Sequence, residues 1–394
     1  MNTNKLAHEG YLEDALDALE RRDYSWNEDL IDVESVPTPL YNTARSFEKL
    51  AKVAALFDAT RQSREWFREA ARFHLEQAHA NRLRRDMLSR GDWCGEPQRF
   101  TRALRDALVS RDDHLTAEIA TEALGMDECY LDEFADDYTD FPAYYYGAKA
   151  LAAFALDHER APELLAHLEE GIQRLDDPGQ FWTTISDYYH ALLDRSQADA
   201  QAALDGLFDY YAGNRPEPDD PKHFVLHEIC AYILLARRYG LDITIDSERV
   251  PAALTREDVP ADDVELDIDL SDLTFKSDVG LFELERDDDG TPVIAGRIYH
   301  PGGAEVTAAD VPEREAGRVL SDDWIEAALD EASWRDHYGD DLVNEARAAF
   351  EDGSLVRKLV VVQDRTDGSL FDESLTELPV DDIELMKGAG KRGN

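Results

Sequence analysis

The chain has 394 residues, with Asp+Glu 86 against Lys+Arg 41, a formal net charge of -45, and hydrophobic and aromatic fractions of 43% and 9%. That apolar content suffices for a buried core and excludes a chain disordered throughout. The acid excess argues against duplex nucleic acid as a ligand of the whole chain, because phosphates would meet a like-charged surface.

The basic residues are 32 Arg and only 9 Lys. Self-repulsion on this scale destabilises a compact state in dilute buffer, whereas molar salt shrinks the screening length to ~3 Å. Acid excess with Lys depletion therefore reads as adaptation to a salt-rich cytoplasm, and most of the acid signal is assigned to that adaptation. Cys94, Cys129 and Cys230 show neither disulfide-framework nor zinc-knuckle spacing. No apolar signal segment follows Met1, and no run approaches the ~18 apolar residues of a membrane span, so a cytoplasmic location is expected.

Residues 1–39 read as an N-terminal helix and linker. From Leu40 the pattern is helical: Phe47, Leu50, Val53, Ala54 and Phe57 form one apolar stripe, and Trp66, Phe67, Ala70, Phe73, His74 and Gln77 form the next, extending towards Leu88. Three similar units follow. Segments 100–109 and 115–124 flank a charged turn, as do 144–156 and 162–175, and then 181–193 and 198–211. Such a recurrence predicts stacked antiparallel helical hairpins of the kind seen in helical-repeat proteins, leaving a groove or broad concave face. One more helix is expected over 223–239, ended by Gly240. The pattern changes near Asp246. Val264, Leu266, Ile268 and Leu270 alternate with acids, as in a strand, and Asp287-Asp288-Asp289-Gly290 lies between apolar runs, as in a hairpin. A helix over Trp324–Phe350, capped by Ser321 and ended by Gly353, and a strand over Leu355–Val362 complete a small α+β domain over 262–387, with a loose tail over 388–394. The predicted class is mainly α, hairpins first and α+β last.

One stretch is more specific. Tyr188-Tyr189-His190-Ala191-Leu192-Leu193 precedes a short charged turn and the 198–211 segment, then the 223–239 segment ends in Tyr239-Gly240-Leu241-Asp242-Ile243. Asp246-Ser247-Glu248-Arg249-Val250-Pro251-Ala252-Ala253-Leu254 follows. This resembles the C-terminal part of the Imm49 group of immunity proteins, which guard bacteria against polymorphic toxins. The 144–156 segment with Asp157-His158-Glu159 resembles that family's middle helix and turn. The resemblance spans about residues 40–257. It implies a helical domain that binds a cognate protein toxin and neutralises it by occlusion, with no cofactor and no catalytic residue. The domain after Asp262 lies outside the resemblance, and the acidic composition departs from that of the bacterial members.

Candidate contact residues for such a partner are the aromatics Tyr138, Tyr144, Tyr145, Tyr188 and Tyr189, together with Asp132, Asp136 and Asp137, which could cover a basic cleft. Ordinary helix packing is the alternative use of these aromatics. Residues 61–111 hold 12 Arg against 7 acids, densest at Arg82, Arg84, Arg85 and Arg90. Pairing with acids on neighbouring helices and a patch for phosphate or an acidic partner are the two readings. His223 and His227, spaced i and i+4, are weak metal candidates: the pattern is not H-E-x-x-H and no third ligand is evident. Asp287–Gly290 lacks calcium-loop spacing and reads as a turn. A helical-repeat adaptor using its C-terminal domain is the second functional reading, and a metal-dependent enzyme using His223, His227 and Glu228 is the third.

Overall fold

A computed structural model of the chain describes residues 37–83, 95–126, 134–136, 138–214, 224–256, 264–268, 280–287, 289–299, 322–330, 338–363 and 374–379, with a few short pieces besides. The chain divides into two units, one made of 1–23, 41–75 and 94–274, the other of 24–40, 76–93 and 275–394.

The first unit is helical. Its helices are α1 (Pro37–Leu56), α2 (Thr60–Leu83), α3 (Glu96–Ser110), α4 (Asp113–Leu124), α5 (Phe141–Ala155), α6 (Ala161–Gln173), α7 (Gly179–Leu193), α8 (Gln197–Gly213) and α9 (His227–Arg238). The bulk of α1 and α2 belongs to this unit, while their outer ends belong to the other. The expected hairpins are present as α3–α4, α5–α6 and α7–α8, and α1–α2 adds a fourth. One turn device recurs in all four. Asp58, Arg111, Asp157 and Arg195 take φ of 62°, 61°, 48° and 51°, a left-handed step that ends a helix. After three of these residues the chain closes the same bond, from Ala59 N to Ala54 O, His158 N to Ala153 O and Ser196 N to Ala191 O, each 2.9 Å. Asp112 then caps α4 by accepting from Leu115 N at 2.9 Å.

Helix α9 packs against α3, α5 and α8, and from His227 to Ala236 all but Leu234 are buried. A helix apolar nearly all round belongs in a core, so α9 fills the space that stacked hairpins would otherwise present. The helix expected over 223–239 is observed as 227–238. Val225 and Leu226 are non-helical, because Leu226 N is held by Arg249 O at 2.8 Å.

Beyond α9 the chain runs back over the hairpins, held by side-chain amides. Gln197 donates to Asp242 O at 2.7 Å and accepts from Asp242 N at 3.2 Å. Gln201, one turn on, donates to Thr244 O at 2.8 Å and accepts from Thr244 N at 3.0 Å. Gln62 does the same for Leu266, at 2.9 and 2.6 Å. The alternating segment near Val264 is therefore not a strand: its central backbone groups pair with an amide side chain, which satisfies them as a neighbouring strand would.

The second unit holds a four-stranded sheet in the order β1-β2-β3-β4, with β1 at Gly280–Arg286, β2 at Pro292–Tyr299, β3 at Val356–Gln363 and β4 at Ser374–Pro379. The β1–β2 and β3–β4 pairs are antiparallel, and β2–β3 is parallel, with Val293 opposite Val356. Helices α10 (Asp322–Asp330) and α11 (Asp340–Asp352) lie between β2 and β3 in sequence, and α11 packs on β2 and β1. The single helix expected over 324–350 is broken by Gly339 at φ 83°, while Gly353 ends α11 as expected at φ 76°. The 287–290 turn is a turn: Asp287 Oδ1 accepts from Asp289 N and Thr291 N at 3.1 and 2.7 Å. The 388–394 tail lies outside the described residues.

Candidate functional site

Helices α1, α2, α3 and α9 bring an ionic cluster into the core of the first unit. Glu48 and Lys52 come from α1, His74 from α2, Asp106 from α3, and His227 and Glu228 from the first turn of α9, and all six are buried. His74 Nε2 donates to Glu48 Oε1 at 3.0 Å. Arg45 donates to the other Glu48 oxygen at 2.8 Å, and Lys52 Nζ lies 3.9 Å from it. His227 stands between two carboxylates, Nε2 at 3.3 Å from Asp106 and Nδ1 at 3.1 Å from Glu228. Phe67 stacks on the His227 ring with centroids 5.5 Å apart.

Burial alone would neutralise these groups, and their neighbours decide otherwise. Burial pushes Glu48 up, but the His74 hydrogen bond and the charges of Arg45 and Lys52 outweigh it and hold the carboxyl well below its ordinary range. Asp106 goes the other way. Burial and the nearby Glu48 charge raise it, and neither of its oxygens receives a well-aligned hydrogen bond. Burial pulls His227 down, yet the Glu228 charge and the two carboxylate contacts raise it overall.

Glu48, His74 and Asp106 each offer a ligand atom within 4.8 Å of the others, a spacing that a metal ion could use. The surrounding charges fit an ion-pair network better. Arg45 and Lys52 already supply the positive charge that neutralises Glu48, and they would repel a metal ion placed beside it. His227 belongs to this network, while His223, its proposed i, i+4 partner, lies outside the described residues.

The predicted aromatic contacts separate into three kinds. Tyr145 and Tyr188 are fully buried and donate to the carbonyls of Met126 and Tyr232, so they are packing residues and not partner contacts. Tyr189, 2% exposed, stacks on Phe154 with centroids 4.5 Å apart and is likewise withdrawn from any partner surface. Tyr144 is half-buried, edge-on to Trp182. Only Tyr138 is exposed, at 38%, with Asp136 and Asp140 exposed beside it. Asp132 and Asp137 lie outside the described residues, as do Arg84, Arg85 and Arg90, and of Arg82 only the helical backbone is described. Several described arginines of that basic stretch are engaged internally: Arg61 pairs with Glu265 at 2.8 Å, Arg64 donates to Ala253 O at 3.1 Å, and Arg111 to Leu254 O at 3.2 Å.

Tyr144 and Tyr189 also meet at a cavity of about 500 Å³ between α3, α5, α7 and α8, which sequence reasoning missed. Its walls are aromatic and carry Arg102 and Arg105 from one face of α3. Arg105 donates to the Tyr232 hydroxyl at 2.8 Å and lies over that ring, while Arg102 lies over the Tyr41 ring. The available signal was the i, i+3 spacing of two arginines on a helix followed by paired aromatics at 181–182 and 210–211. No family model, curated protein or solved structure matches this chain.

Proposed function

We propose that the helical unit is a protein-binding immunity factor that neutralises a cognate toxin by occlusion, without a catalytic step of its own. The observation that carries the reading is the exposed Tyr138 between the exposed acids Asp136 and Asp140, at the entry to α5. An aromatic with a polar tip, solvent-facing and ringed by charge, has the chemistry of an interface anchor. The acids beside it complement a basic cleft such as that of a nuclease. In molar salt such steering is weak, so affinity rests on the aromatic contact and its desolvation.

Two further features support this reading. The more specific of the segments that resemble the Imm49 group, α7, α8, α9 and the returning chain held by Gln197 and Gln201, pack against one another. The imidazole–carboxylate cluster, the most reactive-looking set in the unit, is buried and balanced by its own ion pairs.

The test is direct mixing with a candidate toxin, sought first among reading frames beside this one, in molar salt, read by size-exclusion chromatography and toxin activity. A stoichiometric inactive complex that Tyr138→Ala weakens is expected. A helical-repeat adaptor would instead lose its partner when residues 262–394 are removed, which the immunity reading predicts to have little effect on binding.

A further inference from the structure

The cavity between α3, α5, α7 and α8 has a lining at odds with the rest of the chain. Acids are 86 of 394 residues, so about four would be expected among its eighteen lining residues, yet it has no Asp or Glu at all. It has two arginines instead. Neither Arg102 nor Arg105 makes an ion pair among the described residues, although in this chain carboxylates outnumber bases two to one. The Arg105 guanidinium donates to the Tyr232 hydroxyl at 2.8 Å. A guanidinium keeps its charge at any accessible pH, so two arginines with no carboxylate in the lining leave the cavity positively charged.

The remaining walls define the rest of the ligand. Trp182 is edge-on to Tyr144 with centroids 5.2 Å apart, and Phe181 is tilted against Tyr210 at 5.3 Å. These rings are half-buried and line the cavity. Gly147 permits this wall: a Cβ there would come within 3.2 Å of the Trp182 ring. A cavity of about 500 Å³ lies within the ~300–1,000 Å³ range of small-molecule sites, and a few polar groups among aromatic walls are their usual composition.

We propose that this cavity is a binding site for a small molecule consisting of a planar ring that carries an oxyanion, either carboxylate or phosphate. Arg105 and Arg102 hold the anion, and Tyr144, Trp182, Phe181 and Tyr210 enclose the ring. Arginine is suited to both headgroups because its planar fork can engage two oxygens at once. None of Asp136, Tyr138 and Asp140 lines the cavity, so its occupancy can be tested with no protein partner present.

Isothermal titration of the full chain with phenyl phosphate, benzoate and neutral benzyl alcohol tests this. At least one of the two anions is expected to bind at one site per chain, about tenfold or more tighter than benzyl alcohol. The tighter of the two identifies the headgroup. Arg105→Met is expected to weaken anion binding about tenfold or more, as loss of a charge-assisted contact predicts. Because Arg105 also holds Tyr232, Arg102→Met serves as the second variant: its only described contact is with the Tyr41 ring. It is expected to weaken the anion several-fold while leaving the thermal midpoint in place. Absence of saturable binding by either anion, equal binding of benzyl alcohol, or anion binding unchanged in Arg102→Met would overturn the proposal.

Discussion

The imidazole of His227 stands 3.3 Å from the Asp106 carboxylate, a contact between the first turn of α9 and the middle of α3. The second ring nitrogen faces Glu228 at 3.1 Å. The group is buried, so its charge state is tied to the packing of two helices. Removing one partner of such a pair leaves the other charge uncompensated, which typically costs about 3–5 kcal/mol. His227→Gln is therefore expected to lower unfolding stability by an amount of that order, measured by denaturant titration. A change under 1 kcal/mol would mean that the pair is not ionised in the folded chain. Replacing both residues, Asp106→Leu with His227→Leu, is expected to recover part of the loss, because that pair is removed together while Glu228 still loses its imidazole contact.

The same cluster sets a pH dependence. His227 has a raised folded value, so its stabilising contribution is fully present below the ordinary imidazole value of 6.5 and disappears as pH rises through the raised one. Glu48 has a lowered value, so its contribution is present above 4.5 and is lost as pH falls through the lowered one. Thermal midpoints measured against pH should decline on both sides, and His227→Gln should flatten the alkaline decline while only weakening the acid one, since the His227 charge is a lesser cause of the lowered Glu48. An unchanged alkaline decline in that variant would assign it to another group.

Gln201 holds Thr244 by both of its main-chain groups. Gln201→Ala leaves that N–H and C=O to water. The variant also loses the Gln201 bond to Asp205 at 2.9 Å, and a loss of about 1–2 kcal/mol follows from three hydrogen bonds at exposed positions. Amide exchange at Thr244 should accelerate in the variant while exchange within α8 stays slow. Equal protection at Thr244 in both proteins would show that the segment is held by something else.

Gly171 on α6 lies against the start of α5: a Cβ there would meet Ala143 N at 2.9 Å and the Pro142 carbonyl carbon at 3.0 Å. Backbone atoms cannot give way as a flexible side chain can. Gly171→Ala is expected to destabilise the unit by about 1–3 kcal/mol, as overpacking does, despite the better helix propensity of alanine. A stabilised variant would show that α5 and α6 are farther apart.

At -45 the chain repels itself. Going from about 0.1 M to about 1 M KCl shortens the screening length from ~10 to ~3 Å, so the thermal midpoint should rise steeply over that range. A flat response would remove salt adaptation as the reason for the acids.

Much of the fold could be read from local signals. The apolar stripe through Phe47, Leu50 and Val53 and the charged turns containing Arg111, Asp157 and Arg195 identify hairpins, because periodicity and turn chemistry act within a few residues. Other features depend on residues distant in sequence. Gln62, Gln197 and Gln201 are unremarkable as polar helix residues until the returning chain lies beside them. Glu48 and Lys52 next to buried apolar positions gave no sign of a partner at His74 or Asp106. Tyr145 and Tyr188 have the composition of an interface and the environment of a core, a distinction that only burial makes. The cavity between α3 and α7 is set by how whole helices pack, and no short pattern encodes it.

The measurement closest to the central claim is complex formation in molar salt between this chain and a candidate cognate toxin, with wild type and Tyr138→Ala side by side. A one-to-one complex that silences the toxin, weakened about tenfold or more by the substitution as loss of an aromatic anchor predicts, is the expected result. No complex, or a complex indifferent to Tyr138, would contradict a partner-binding surface at the entry to α5.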